Sequence, residues 1–247
     1  MTGPWEQAHA AAAAAGVSLR PLRSIDDADR ILGVMIATWG EHQLLPREMI
    51  RALAESGNDP YGAFDGDEMI GYVLGWAGVD DVGPHVHSHM LAALPSRRHR
   101  GVGTALKLAQ RAQSLDHGFT VVRWTFDPMI ARNAYLNMAK LGGVADRFHR
   151  NFYGEMSDTL NRGERSDRLV VRWDLEREPG PREVAADAAT VVVPAKYADL
   201  RDADRERALA ERDRVAAELE RHFAAGAVAA GFDRERSAYL LVEADDA

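Results

Sequence analysis

The string RRHRGVG, directly before an amphipathic helix, carries the residue types and spacing most suggestive of chemistry. Arg98, Gly101 and Gly103 have the spacing R-x-x-G-x-G. Glycines there let the backbone approach a ligand closely, and the uncapped N–H groups of a helix start attract a phosphate or pyrophosphate. Arg98 and Arg100 would add positive charge. The pattern predicts a phosphate-binding loop, although a Gly-rich helix start is also typical of a simple tight turn.

Two common nucleotide-binding motifs fit this string poorly. A Walker loop ends in G-K-[ST], whereas Gly103 is followed by Thr104 with no lysine between them. A Rossmann fingerprint has its glycines directly after a strand and needs a third glycine where Leu106 stands. Neither motif is therefore expected here.

A second group of candidate residues lies in HVHSHML, which alternates as a strand does. His87 and His89 are two residues apart, on one face of that strand, and imidazole titrates near neutral pH. Both are candidate general bases; the alternative is that one is buried and hydrogen-bonded while the other is exposed. His85 extends the pattern, but neither a cysteine nor a carboxylate completes a metal site, so no metal is expected.

The elements that must position these residues alternate between strands and helices, which predicts an α/β (α+β) fold. We expect strands over residues 18–22, 61–64, 68–79, 85–95, 119–126, 144–156 and 168–175, and helices that begin near residues 24, 46, 102 and 130. The stretch EREPGPRE ends this regular pattern. It divides the chain into an Ala-rich N-terminal helix (1–16), a main domain (17–178) and an extension (179–247) with a strand TVVVP, a charged helix over about 202–225 and a strand YLLVEA.

The composition excludes several classes of protein. The chain has 247 residues, of which 46% are hydrophobic and 28% charged, as in a globular protein of one or two domains. Its net charge of -8 disfavours wrapping of nucleic acid. The absence of cysteine excludes disulfides, thiolate metal sites and a cysteine nucleophile. No apolar stretch approaches the ~20 residues of a membrane helix, and the N-terminus lacks the basic residues of a signal peptide, so we expect a cytoplasmic protein with no membrane partner.

With these residues in view, the chain resembles the GNAT superfamily of acyl-CoA-dependent N-acyltransferases. RRHRGVG resembles that family's loop for the CoA pyrophosphate, which would comprise Arg98, His99, Arg100, Gly101, Val102, Gly103 and Thr104. The resemblance implies a mixed seven-stranded sheet, splayed between its fourth and fifth strands to admit the pantetheine arm. Backbone groups at Ala92, Ala93 and Leu94 would then bond the pantetheine and polarise the thioester carbonyl, as an oxyanion-type donor does.

A closer resemblance is to a bacterial GNAT subgroup with a C-terminal extension, through SHML, LKLAQR, WTFDP, ARNAYLN, LNRG and SDRLVVRWDL. The resemblance extends over about two-thirds of the chain. The subgroup is associated with N-succinylation of amino acids. The resemblance therefore implies acetyl-CoA or succinyl-CoA as acyl donor, and we expect the extension to cover the domain or to form a homodimer.

The remaining site residues are assigned through the same resemblance. Many members have a tyrosine that protonates the departing thiolate, but its place falls here on Met138, so Tyr135 or Tyr153, the latter on the next expected strand, would substitute. Asn133 resembles the family asparagine that bonds the pantetheine. Arg168 and Arg123 are candidates to hold an anionic substrate, or are ordinary surface arginines. Asp127, at a strand end, is expected to cap the following helix.

The function expected from the sequence is direct transfer of an acetyl or succinyl group from acyl-CoA to the primary amine of a small molecule, such as an amino acid. Direct attack in a ternary complex agrees with the absence of cysteine. Two alternatives stay open: a non-catalytic module that binds acyl-CoA, and an acyltransferase whose acceptor is a protein, an aminoacyl-tRNA or an antibiotic.

Overall fold

The computed structural model describes residues 2–41, 44–97, 101–156 and 164–246. Its helices are α1 (Pro4–Ala15), α2 (Ile25–Trp39), α3 (Arg47–Glu55), α4 (Val102–Asp116), α5 (Ala131–Ala134, continued as a π-helix over Tyr135–Lys140), α6 (Tyr197–Ala203) and α7 (Arg205–Ala224). Its strands are β1 (Ser18–Pro21), β2 (Tyr61–Asp65), β3 (Glu68–Asp80), β4 (Gly83–Ala93), β5 (Val121–Phe126), β6 (Val144–His149), β7 (Glu155–Met156), β8 (Glu164–Arg165), β9 (Arg168–Asp174), β10 (Ala189–Val192), β11 (Ala227–Asp233) and β12 (Ala238–Glu243).

The packing divides the chain into two compact units, of which the first comprises residues 1–122 and 156–164. Its strands run β1-β2-β3-β4, each antiparallel to the next. The two longest strands of this sheet, β3 and β4, form a hairpin. A buried cluster that includes Ile31, Met35 and Tyr72 joins α2 to the sheet, and a second one, around Ile70 and Leu106, joins α4 to it.

The second unit comprises residues 123–155 and 165–247. Its strands follow the order β5-β9-β6-β11-β12-β10. In its core Trp124 meets Trp173 edge to face, with the ring centroids 6.1 Å apart. The C-terminal strands belong to this sheet because β11 pairs with β6 at Ala229 and Ala145. The extension is thus part of a sheet and not a separate layer.

The mixed α/β fold class with a helix-and-strand extension is confirmed, and most expected elements are present. Of the strands in the two orders given above, seven lie between residues 18 and 174, and three come from the extension. No helix in the described ranges is both long and apolar enough to span a membrane.

Two local expectations were wrong, and one helix is present within the expected bounds but differs in type. The strand expected over 144–156 breaks after His149, because Asn151 and Gly154 adopt positive φ, so Tyr153 lies in a loop. The helix expected after β5 has only one α-helical turn before it widens into a π-helix. Asp127 does not cap it, since the residue at the cap position is Ile130.

Candidate functional site

The two candidate histidines of β4 lie beside one tryptophan of β3. Leu74 pairs with Met90 and the next pair is Gly75 with Ser88, so His89 is an extra residue, a β-bulge in β4. The ring centroids of His87 and His89 are 5.8 Å apart. The centroid of the Trp76 ring lies 5.1 Å from that of His87 and 4.8 Å from that of His89. The structure therefore brings both histidines together, as the spacing predicted, and adds Trp76, which the sequence gave no reason to single out.

Both imidazoles are held towards their neutral forms. Partial burial, aided by the charges of His89, His85 and Lys107, lowers the pKa of His87 to about 4. Desolvation by its neighbours also lowers the pKa of His89, whose side chain remains exposed. At neutral pH, His87 is consequently an unprotonated imidazole with a nitrogen lone pair able to accept a proton.

On the opposite face of β4, a lysine from α4 is completely buried. The Nζ of Lys107 donates to Ser88 Oγ at 2.7 Å and to Gln110 Oε1 at 3.2 Å. Burial lowers the pKa of this amine to about 7. Sequence reasoning missed Lys107 because the residues beside it read as an ordinary apolar helix face; its one signal is that the chain has only three lysines.

The register of β4 fixes where its last backbone groups point. Leu94 N–H donates to Ile70 O at 2.8 Å. Because residues of an antiparallel ladder face their neighbour alternately, the N–H of Ala92 also points to β3, while that of Ala93 points to the other edge. Of the three residues expected to bond pantetheine, Ala93 is thus the one whose backbone faces away from β3.

The start of α4 has the features expected of an anion receptor. Gly101 takes a left-handed conformation, with φ of 87°, and occupies the N-cap position of the helix. Because glycine has no side chain, no side-chain hydrogen bond caps the helix there. The first turn contains no acidic residue, so its N–H groups and the positive end of the helix dipole are not neutralised there. Val102 is buried, while Gly103 and Thr104 are half-buried. Arg98, His99 and Arg100, expected in the same loop, lie outside the described residues.

Tyr153 belongs to a hydrogen-bonded loop of the second unit. Its hydroxyl is 3.1 Å from Thr125 Oγ1, and its backbone N–H donates to the buried Ser166 Oγ at 2.7 Å. The guanidinium of Arg168 lies 5.5 Å from the centre of the tyrosine ring. The loop therefore presents Tyr153, whose side chain is exposed, in a fixed position next to Arg168.

The two arginines expected to hold an anionic substrate differ in their surroundings. Arg123 is buried and forms an ion pair with Asp146 at 3.2 Å. Arg168 is also buried, and donates to the carbonyl oxygen of Asp167 at 2.8 Å. Neither is a surface arginine, and Arg168 stands beside a candidate catalytic side chain.

The π-helix of the second unit carries the other candidates. The ring of Tyr135 is half-buried, with the Nζ of Lys140 5.6 Å and the guanidinium of Arg234 5.2 Å from its centre. Met138 is fully buried, as an apolar residue in this position can be. The side chain of Asn133 is half-exposed and forms no hydrogen bond with another residue of the described part of the chain.

Metal ligands do not gather at any point of the described structure: no cluster of three or more histidine and carboxylate side chains is found there. His85, which completes the histidine pattern of β4, is buried, with its Nδ1 3.2 Å from Gly83 O.

Comparison with known proteins identifies one family match. Residues 26–140 match the model described as the acetyltransferase (GNAT) family. This segment includes α2, the β3–β4 hairpin with its histidines, and the start of α4. No curated protein matches the chain.

Several solved structures are similar to the chain. The structure of smu.2055 from Streptococcus mutans UA159 is 17% identical and covers 64% of this chain and 99% of its own, with a TM-score of 0.51. The ribosomal-protein-S18-alanine N-acetyltransferase from Escherichia coli is 11% identical, covers 70% and 99%, and has a TM-score of 0.47. An aminoglycoside acetyltransferase from an uncultured soil metagenomic sample, in complex with sisomicin, is 15% identical, covers 45% and 78%, and has a TM-score of 0.41. The first of these shows a common fold.

Proposed function

We propose that the chain, in which residues 26–140 match the acetyltransferase (GNAT) family, moves an acetyl or succinyl group from acyl-CoA to the primary amine of an amino acid or a similar small molecule. The protein is an acyl-CoA-dependent N-acyltransferase.

The observation that carries the proposal is the histidine pair of β4 inside the family-matched segment. An amine attacks a thioester only after it has lost its proton, so an acceptor for that proton must stand near the site. His87 is half-buried against Trp76 and is unprotonated at neutral pH. We assign it the role of general base, with His89 as a neighbour able to pass the proton to solvent.

The donor side is assigned to the start of α4. Acyl-CoA supplies an activated thioester carbonyl when bound. The N–H groups after Gly101, which no acidic residue neutralises, would hold the pyrophosphate, and Arg98, His99 and Arg100 would add charge. The outward edge of β4 at Ala93 would run along the pantetheine, and Asn133 would bond its amide.

Departure of the thiolate needs less assistance than departure of an amine, because a thiol has a pKa of about 8.5. Tyr135 and Tyr153 are both proposed as sources of this proton, since Met138 stands where the family tyrosine is expected. Tyr153 has the better hydrogen-bonded hydroxyl, through Thr125. For the acceptor carboxylate we propose Arg168 ahead of Arg123, because the guanidinium of Arg168 lies 5.5 Å from the ring of the candidate Tyr153.

Thiol release tests this proposal directly. We would incubate the protein with acetyl-CoA or succinyl-CoA and a panel of D- and L-amino acids, and read the free thiol with a thiol-reactive dye. The protein adds no background because it has no cysteine. We expect release that requires a free primary amine, so the Nα-acetylated form of the same amino acid is the matched control. Release with aminoglycosides or N-terminal peptides alone would contradict the assigned acceptor.

A further inference from the structure

The C-terminal extension makes three separate contacts with one short segment, the turn after β5 and the start of α5. From α7, Arg212 Nη1 and Nη2 donate to the two carboxylate oxygens of Asp127 at 3.2 Å and 3.0 Å. From β12, the Tyr239 hydroxyl donates to Pro128 O at 2.7 Å. From the β11–β12 turn, Arg234 lies over the ring of Tyr135. Three elements of the extension therefore converge on residues 127–135.

Two of these contacts are deeply buried. Arg212 is 2% exposed and Tyr239 is not exposed at all. Arg212 also donates from Nε to the Tyr197 hydroxyl at 3.2 Å, so a residue of α6 fixes its orientation. A buried ion pair is seldom more stable than apolar residues of the same volume, but its bidentate geometry defines the position of its partner closely. The pairing with Arg212 thus fixes the Asp127 carboxylate in space.

Hydrogen bonds of the backbone connect Asp127 to Asn133. Asp127 Oδ1 accepts from Met129 N–H at 2.9 Å, which tightens the turn. Ile130 N–H donates to Asp127 O at 3.1 Å, and Asn133 N–H donates to Ile130 O at 2.8 Å. Two successive hydrogen-bonded turns thereby connect the carboxylate that Arg212 holds to the asparagine assigned to the acyl-CoA.

We propose that the C-terminal extension is a positioning element for acyl-CoA, in which Arg212, Tyr239 and Arg234 hold segment 127–135 in the conformation that presents Asn133 to the pantetheine. This inference rests on the proposed function. The three side chains are positioning residues, because each acts through segment 127–135. The extension is expected to influence the donor and to leave the affinity for the acceptor unchanged.

Two mild variants test the inference without a large risk to folding. Arg234→Ala removes an exposed side chain, and Tyr239→Phe removes a single hydroxyl. The matched control is Arg236→Ala, in the same turn, whose guanidinium makes no ion pair or ring contact with the described residues. For each variant we would measure the Kd for CoA without acceptor, the KM for acyl-CoA and for the acceptor, and the thermal midpoint.

We expect both variants to weaken CoA binding and to raise the KM for acyl-CoA roughly 2- to 10-fold, the change that loss of one cation–π contact in Arg234→Ala or one hydrogen bond in Tyr239→Phe brings. The acceptor KM should stay constant in both, and Arg236→Ala should match the wild type. Arg212→Lys, which keeps the charge but loses the paired bonds, should have a smaller effect than Arg212→Met. These shifts should appear well below the thermal midpoint, where a merely less stable protein is fully folded.

An unchanged Kd for CoA in both Arg234→Ala and Tyr239→Phe would overturn the inference, as would a parallel rise in both KM values. These results are distinguishable from failure of the proposed function. If the wild type binds CoA but releases no thiol with any amino acid, the acceptor assignment fails, while the Kd series still decides the role of the extension. If the wild type binds no CoA, both are rejected.

Discussion

His87 and His89 share a residue type and one tryptophan neighbour, but the bulge gives them different environments. His87 is paired with Trp76 in the ladder and half-buried, whereas His89 is the extra residue and is exposed. Burial removes water that would stabilise the imidazolium, and the charges of His89, His85 and Lys107 oppose it as well, so the pKa of His87 falls to about 4. The more buried ring is the one suited to hold a lone pair ready at neutral pH.

Replacing His87 should therefore affect turnover more than replacing His89. We expect His87→Ala to lower kcat by about 10²-fold or more, the usual contribution of a general base. In the wild type, kcat should fall at low pH as His87 becomes protonated. The midpoint of this fall should lie near the His87 pKa of about 4, not near the ordinary value of about 6.5. The measurement is thiol release against pH at saturating acceptor. Full turnover of His87→Ala from pH 6 to 9 would remove this residue from the mechanism.

Lys107 should make the stability of the protein depend on pH. Its pKa is about 7 in the fold and about 10.4 in an unfolded chain, so between these values the unfolded state binds more protons. The free energy of unfolding should accordingly rise with pH across this window, by up to about 1.4 kcal/mol per unit, and the destabilisation should be fully present below pH 7.

Denaturant unfolding at pH 7 and pH 9 measures this effect. In Lys107→Met, the free energy of unfolding should rise less with pH than in the wild type, because the methionine side chain binds no proton. Lys196→Met is the control, since the Lys196 side chain is 83% exposed, and it should keep the wild-type pH dependence. Equal pH dependence in all three proteins would show that the Lys107 amine titrates normally.

At the scale of elements, the predicted Gly-rich motif lies at the start of α4. Gly101, at its start, and Gly118, just after its end, both adopt positive φ, of 87° and 79°. Alanine costs roughly 1–2 kcal/mol in such a conformation, so either substitution should destabilise the fold by a similar amount. Only Gly101 lies at the proposed pyrophosphate site.

We therefore expect Gly101→Ala to weaken CoA binding about tenfold, and Gly118→Ala to leave it unchanged. The reason is that relaxation of the strained residue would turn the first N–H groups of α4 away from a ligand. Calorimetric titration with CoA provides the affinities, and unfolding curves provide the matched stabilities. Equal CoA affinity in the two variants would reject the loop assignment.

Elements with strong local signals were predictable. The capping pattern at Ser24 marked α2, and the Asp65-Gly66 turn marked the β2–β3 hairpin. Strand β11 was not expected because its sequence, AVAAGFD, is rich in alanine and glycine, and β6 and β12 stabilise it by pairing. The π-helix after β5 has no local signal in the sequence.

The residues of the candidate site were likewise predictable only where their signal in the sequence is local. The histidine pair followed from strand periodicity, which is a local property. Arg212 could not be singled out, because in a chain with abundant arginine nothing local distinguishes a buried cation from an exposed one, and Lys107 stands out only because lysine is rare. Their roles depend on Ser88 and Asp127, which tertiary structure brings to them. Long-range polar pairs of this kind leave no periodic pattern in a sequence.

At the scale of the whole molecule, the extension is a structural part of the second unit. Val144 of β6 packs with Val228 and Ala230 of β11, and all three are buried. A protein that ends at Glu178 would lose β10, β11 and β12 and expose this apolar surface and an unpaired strand edge. The extension therefore contributes buried residues to the core of the second unit.

We expect the chain truncated after Glu178 to aggregate or to unfold without a cooperative transition, because the loss includes a substantial part of the second core. The measurement is thermal unfolding by circular dichroism, together with size-exclusion chromatography. A point variant such as Arg236→Ala, made in the full chain, is the control for handling and expression. A monodisperse truncated protein with a sharp transition would show that the extension is dispensable for folding.

The pairing of β6 with β11 also has a consequence during synthesis. β6 is complete early, but β11 follows only after β9, β10, α6 and α7 have been made. At about 5–20 residues per second, the ribosome takes several seconds to deliver that partner. During this interval the nascent chain presents an unfinished, apolar sheet edge, so its yield in the cell should depend on how quickly translation passes from β6 to β11, and on whether a chaperone shields β6 meanwhile.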